Sequence, residues 1–294
     1  MTRFRTFVLA VLLATGLALT ATAGAQQAVP AKAAAPAKAA AKPALSLAPE
    51  LEPKAVELLR AMSARLAAAQ SMSFTALVTY EHPSRIGPAL AYSTVSEVTM
   101  QRPDKLRVVT VGDAPASEFT YDGKTMTAFA PAENLVAVAP APPTIEAMLK
   151  LAFDSAAIYF PFADVMAVDP YKTIANDLTV AFVIGQSKVI GGVTTDVVGL
   201  ASDTMFVQLW IGAEDKLPRK MVAVFRGDPL RLRHQLEMSN WKLDPAIAAE
   251  AFASMKAADA KSVPFAAPQP PANAPMKRAP ARAKTPATAA SKPQ

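Results

Sequence analysis

EFTYDGKTMTAFAPAENLVAVA, residues 118–139, decides the fold class. Segments 118–121 and 124–129 are short runs rich in β-branched and aromatic residues, and Asp122-Gly123 sits between them. An Asp-Gly pair so flanked predicts a hairpin with a type I′ turn, because that turn needs positive φ at both central residues. Segment 131–134, Pro-Ala-Glu-Asn, turns the chain again into a third run, 135–139. Three strands joined by two short turns form an antiparallel meander.

The same signals extend outward. Phe74, Ala76, Val78 and Tyr80 alternate with Thr75, Leu77 and Thr79. His82, Pro83, Gly87 and Pro88 mark a loop before a second strand at 90–101, and Arg102-Pro103-Asp104 turns into a third at 106–111. Beyond the opening meander, strands are predicted at 178–184, 194–200, 204–211, 219–225 and 231–241, with a break at Gly191-Gly192. Helical spacing appears in three places. Val56, Leu59, Met62 and Leu66 recur within 52–69; Ile145, Met148, Leu149 and Phe153 share a face behind a possible Thr144 cap and a Pro-rich hinge at 139–143; and 161–166 and 170–174 look like two short pieces. Asp244-Pro245 predicts the cap of a last helix. The plan is helix, meander, helical insertion, meander, helix. An antiparallel sheet hides one face, and helices must cover it, which makes the class α+β.

Composition bounds the function. The chain has 294 residues, 52% of them hydrophobic, enough for a real core. It has no cysteine, which excludes a disulfide scaffold, a thiol nucleophile, a Cys-ligated metal and a lipid-modified Cys. Its net charge of +6 belongs to the ends. Arg3, Arg5, Lys32, Lys38 and Lys42 face no acid in 1–49, and Lys277, Arg278, Arg282, Lys284 and Lys292 face none in 266–294. The remaining 20 bases meet all 24 acids in 50–265, leaving that part at −4 and without a case for nucleic-acid binding.

Residues 1–25 read as a secretory signal peptide. Two arginines precede an apolar run from Phe7 to Leu19, and Ala23-Gly24-Ala25 offers small residues for cleavage. An uncleaved anchor is the competing reading, but the run is short for a bilayer, which needs about 20 residues. A periplasmic product is therefore expected. Segment 26–49 holds eleven Ala, four Pro and three Lys, and 266–294 is similar in style. Such sequences lack large side chains to bury and read as disordered tethers. Their bases act either as solvated spacers or as contacts to an anionic membrane surface or cell wall. The division expected is signal peptide 1–25, linker 26–49, one domain 50–265 and tail 266–294.

SFTALVTYE (73–81), VTMQRPDKLRV (98–108), FTYDGKTMTAFAPAENL (119–135), PFADVMAVDPY (161–171), VQLWIGAEDKLPRKMVAVF (207–225) and SNWKLDPAIAAEAF (239–252) together resemble the domain-of-unknown-function family 2092. That family is grouped with the carriers of outer-membrane lipoproteins and related lipid-binding proteins of the LolA/LppX-like fold. The resemblance implies a strongly curved antiparallel sheet, a half-open barrel, with helices on its concave face. In characterised relatives the space between sheet and helices receives acyl chains. No functional motif of those carriers has a match here, so none of their binding residues is carried over.

Two readings of the apolar residues stand. Met205, Val207, Leu209 and Ile211 share one strand face, with Phe206 and Trp210 on the other; Met221 opposes Val222 and Val224. A strand apolar on both sides is covered on both or lines a cavity. The candidate cavity residues are Met100, Met126, Met148, Phe153, Met205, Val207, Leu209, Ile211, Val222 and Val224. Methionine suits acyl chains of varied shape, and fills ordinary cores equally well. The helix at 144–153 is either a lid or a fixed packing helix. No catalytic, metal or cofactor motif is present. His82 and His234 read as solvated, and Asp164 and Asp169 fit helix caps or loops better than an acid–base pair. The bases Arg102, Lys105, Arg107, Arg219, Lys220, Arg226, Arg231 and Arg233 either hold anionic head groups at a cavity mouth or form the wet side of the sheet. The expected function is a non-enzymatic periplasmic carrier of an acyl lipid or lipidated protein. The alternative is a protein-interaction or envelope-stress module with a periplasmic protein partner and no lipid, contacted through sheet edges or exposed Trp210 and Trp241.

Overall fold

The computed structural model describes residues 50–254 and 257–267. The expected signal peptide, the linker and nearly all of the tail lie outside the described residues. Within them the chain builds an α1 helix (Pro53–Ala68), six strands β1 (Ser71–His82), β2 (Leu90–Gln101), β3 (Lys105–Gly112), β4 (Ser117–Tyr121), β5 (Thr125–Ala130) and β6 (Leu135–Pro140), and three helices α2 (Ile145–Ala156), α3 (Ala163–Met166) and α4 (Pro170–Ala175). Five strands follow, β7 (Leu178–Ser187), β8 (Thr195–Ser202), β9 (Met205–Gly212), β10 (Pro218–Phe225) and β11 (Arg233–Leu243), and a two-residue β12 (Lys261–Ser262) closes the series. All twelve strands form one curved sheet, open because it ends on β7 at one side and β12 at the other. Each meander keeps chain order, and the two join where β1 pairs with β11.

Strand alternation assigns the faces. Phe74, Ala76 and Val78 of β1 lie opposite Val98, Ser96 and Thr94 of β2, and Ala76 and Val78 lie opposite Met238 and Leu236 of β11. This is the concave face. Its buried residues, among them Met72, Phe74, Met100, Leu106, Tyr121 and Met126, form one cluster with Leu59, Met62 and Leu66 of α1, Ile145 and Met148 of α2 and Met166 of α3. Pro53 opens α1, where a missing N–H costs nothing. Thr144 caps α2, its Oγ1 accepting from the Ala147 N–H at 3.3 Å.

Both edges of the sheet are capped. Beside β7, the Glu52 N–H donates to the Ala181 carbonyl (2.8 Å), and the Ala181 N–H to that of Glu50 (3.0 Å). Beside β6, β12 pairs in parallel, Lys261 with Leu135 and Ser262 with Val136. The segment carrying β12 bends round that edge. Before it, Ala257 packs on Phe129 and Val136, and the Ser254 hydroxyl donates to Glu118 Oε2 at 3.0 Å. After it, Phe265 packs against the main core and the Ala267 N–H reaches the Ser155 carbonyl at the end of α2 (2.9 Å).

Three local expectations are corrected. The β4–β5 turn has positive φ (93°) at Gly123 alone, the first of its two central residues. That is the type II′ pattern, not type I′. Asp122 precedes the turn and accepts from the N–H groups of Lys124 (2.9 Å) and Thr125 (2.8 Å). Asp244-Pro245 caps no helix. Asp244 adopts φ 54° and its Oδ1 accepts from the Gln70 N–H at 2.7 Å, tying the start of β1, while the first helical residues after it form a short 3₁₀ turn, Ala249–Phe252. Trp241 is not an exposed contact residue. A bulge at Asn240 (φ 56°) gives β11 one extra residue and turns the indole inward, stacked on Phe74 with centroids 4.4 Å apart.

Candidate functional site

The concave face is filled unevenly. Over β1–β6, α1 and α2 leave a dense core in which Met100 and Met148 are fully buried and Met126 nearly so. Over β8–β11 the cover consists of α3, α4 and part of α1, and it does not fill the space. A cavity of about 120 Å³ remains there, partly open to solvent. Its sheet wall is Leu200 of β8, Met205, Val207 and Leu209 of β9, Met221 of β10 and Leu236 of β11. The opposite wall is Phe162, Val165 and Ile174, with Met62 of α1 at the back. A second recess, about 400 Å³ and more open, lies between β3–β6 and the strap that carries Phe265.

The ten sequence-derived candidates divide accordingly. Met205, Val207 and Leu209 line the first cavity. Ile211, two residues further along the same face, is fully buried beyond it. Met100, Met126 and Met148 belong to the dense half of the core. Val222 and Val224 lie on the convex face, because Met221 and Ala223 take the concave positions opposite Leu209 and Val207. Phe153 is 56% exposed, since Ala152 holds the inward position on α2 and the next residue is turned about 100° away. The helix at 144–153 is therefore not the cover of this cavity; the sequence signals for 161–166 and 170–174 mark the pieces that are.

The cover is pinned from outside. Arg102, at the β2–β3 turn, donates from Nη1 to the Met166 carbonyl and from Nη2 to that of Ala167 (both 3.0 Å), and from Nε to Ala69 (3.1 Å). Burial lowers the proton affinity of its guanidinium, and nearby Glu146 partly restores it. Glu146 Oε1 accepts from the Val168 N–H (2.8 Å), and Ser63 Oγ from the Tyr171 N–H (2.9 Å). Asp169 caps α4 through the Lys172 N–H at 3.0 Å.

Asp164 is the one ionisable residue on the cavity wall. It also borders a shallow outer recess that holds Glu146, so it stands on the rim. One side of it is open to solvent and the other is crowded by apolar groups, and that crowding pushes its carboxyl above the usual carboxylate range. Five of the eight bases considered for the mouth are engaged elsewhere: Arg102 as described, Lys105 with the Asp122 carbonyl, Arg107 with Glu118 (2.8 Å), Lys220 with Glu237 (2.6 Å) and Arg219 with Asp215.

Beyond the cover, the concave face carries a row of rings that sequence reasoning missed. Phe225 pairs with Met205 on the cavity wall and meets His234 edge-on at 5.2 Å. His234 lies opposite Tyr80, Tyr80 stacks on Tyr92 at 5.8 Å, and His82 meets Tyr92 at 6.3 Å. The signal was present in the spacing of Tyr80 and Tyr92 from the β1–β2 loop, but the register with β11 was not. Among the described residues, no group of three or more His, Cys, Asp or Glu is placed to hold a metal ion, and no helix is long and apolar enough to cross a membrane.

No curated protein matches the sequence. Among solved structures, the chain is similar to LprF from Mycobacterium bovis, at 17% identity and TM-score 0.42, covering 67% of this chain and 97% of that one. It is similar to MucB in the Pseudomonas aeruginosa MucA/MucB complex, at 13% identity and TM-score 0.38, covering 71% of this chain and 64% of that one, so it spans under two thirds of MucB. A LolA superfamily protein from Nitrosomonas europaea matches at 12% identity and TM-score 0.31, covering 68% and 98%. The family model described as "Predicted periplasmic protein (DUF2092)" matches residues 55–266. That span takes in the whole sheet, its helices and the strap: the chain is a periplasmic protein of the DUF2092 family.

Proposed function

We propose that this protein binds an acyl chain, of a lipid or of a lipidated protein, in the cavity between β8–β11 and the α3–α4 cover, and that it does so without catalysis. The observation that carries the reading is the wall itself: aliphatic and Met side chains on the sheet, Phe162, Val165 and Ile174 on the cover, and polar groups only toward the rim. Each methylene moved from water into such a wall is worth about 0.8 kcal/mol, so binding needs no special chemistry. The α3–α4 part of the cover is two helices of four and six residues held by side chains from other elements, and it is the part that yields to admit a chain.

Native mass spectrometry of the protein purified gently from the periplasm, with organic extraction of the same sample, tests this. A bound mass that extracts as a lipid supports it. A clean apo mass, unchanged after phospholipids and a lipopeptide are offered, overturns it. One observation favours a second reading, a protein-interaction module: the ring row from Phe225 to Tyr92 continues the cavity wall onto an uncovered face. Under that reading a periplasmic partner is recovered by pulldown in the absence of lipid, and Tyr92→Ala abolishes the recovery.

A further inference from the structure

The acyl-cavity reading leaves the polar end of the ligand open, and the rim addresses it. The wall of the cavity is apolar apart from Thr173, Ser202 and Asp164. Thr173 and Ser202 are already used. The Thr173 hydroxyl donates to the Asp169 carbonyl at 3.2 Å, and Ser202 Oγ accepts from the N–H groups of Thr204 (3.3 Å) and Met205 (3.2 Å). The Asp164 carboxylate has no hydrogen bond or ion pair among the described residues. Glu146 shares the outer recess with it, and the guanidinium acting on Glu146, that of Arg102, spends its donors on three backbone carbonyls. The rim is thus an unmatched acceptor at the end of an apolar slot. A carboxylate or phosphate head placed there meets the like charge of Asp164, and the nearest guanidinium, that of Arg102, already acts on Glu146. A protonated amine meets a carboxylate that solvent reaches on one side and no protein donor engages, and such charge-assisted bonds are the strong ones.

We propose that the cavity selects amphiphiles whose polar end is a protonated amine over those ending in a carboxylate, with Asp164 as the group that receives the amine. The proposal rests on the acyl-cavity reading and adds a head-group class to it.

The test is calorimetric titration of the full periplasmic protein at pH 7 with three ten-carbon probes: decylamine, decanol and decanoate. The expected result is that decylamine binds about tenfold or more tighter than decanoate, with decanol between them. In Asp164→Asn, an isosteric change checked for folding by circular dichroism, decylamine weakens, decanoate strengthens and the ratio falls toward one. Glu146→Gln changes the ratio less than Asp164→Asn does. Equal or tighter binding of decanoate to the wild type, or a ratio unmoved by Asp164→Asn, overturns the selectivity while leaving the acyl cavity standing. If decanol and both charged probes fail to bind, the acyl-cavity reading and this proposal fall together.

Discussion

Arg102 shows how one residue can hold a site it does not line. Its guanidinium ties the end of α1, through Ala69, to the end of α3, through Met166 and Ala167. Arg102→Met keeps the aliphatic stem and removes the donors, leaving three carbonyls to water or to nothing. The expected loss is about 2 kcal/mol in urea denaturation. Asp164 acts in the opposite sense. Crowding raises its proton affinity in the folded state, so the folded protein binds that proton more tightly than the unfolded chain does. Stability then falls as pH rises through the unfolded value of about 4 and on through the higher folded value. Asp164→Asn is expected to be more stable than the wild type at pH 7, and the difference should vanish below about pH 4. Urea midpoints measured across that range check the sign. A wild type that gains on its variant with rising pH would show that the carboxylate is stabilised in the fold. Both residues were visible in the sequence, Arg102 as a possible head-group binder and Asp164 as a cap; the roles they take depend on which backbone atoms the fold brings beside them.

At the scale of elements, the strands were legible and their faces only in part. Period-two alternation located β1, β9 and β10, but it is symmetric between the two faces. Nothing local tells Val222 and Val224 from Met221, and the structure puts the valines on the convex side. A bulge defeats alternation outright, as at Asn240, where one extra residue turns Trp241 from a presumed surface ring into a core ring. The β4–β5 turn makes a testable case. Gly123 sits at φ 93°, and a Cβ there would run into Asp104 Oδ2. The carboxylate can swing away but the backbone strain cannot be relieved, so Gly123→Ala should cost about 1–2 kcal/mol. It should lower the thermal midpoint without touching ligand binding, because the turn is remote from the cavity lining. The cover helices give the second case. Helices this short have little cooperative support of their own. Ser63→Ala removes the acceptor of the Tyr171 N–H and should weaken the seat of α4 by about 1 kcal/mol. Hydrogen exchange should then quicken about fivefold in 163–175 and stay unchanged in β1 and β2.

Over the whole molecule, the order of elements predicted the two meanders, but the sheet they share depends on contacts between distant segments. The β1–β11 pairing joins residues some 160 positions apart, and no local pattern encodes it. The cavity is still further from the sequence, since it is the space that packing leaves over, and the same methionines fill one half of the core while lining the gap in the other. The strap is the clearest instance of a global feature with weak local signal. An open twelve-stranded sheet has two edges, and an uncovered edge invites pairing with another chain. The chain answers at β7 with residues 50–52 and at β6 with β12. The strap contributes two backbone donors along this edge, the Lys261 N–H to the carbonyl of Asn134 just before β6 (2.9 Å) and the Val263 N–H to that of Val136 in β6 (2.8 Å). Proline lacks that N–H, so the double variant Lys261→Pro/Val263→Pro should release the strap from β6 while leaving the eleven long strands intact. Phe265 then loses its anchor in the core, and the freed edge, flanked by the apolar Phe129 and Val136, is exposed. The expected outcome is concentration-dependent association by light scattering with far-ultraviolet dichroism close to wild type. A variant that stays monomeric at the same concentration would mean that β6 is protected by its own shape and twist, with the strap serving only to close the recess beneath Phe265.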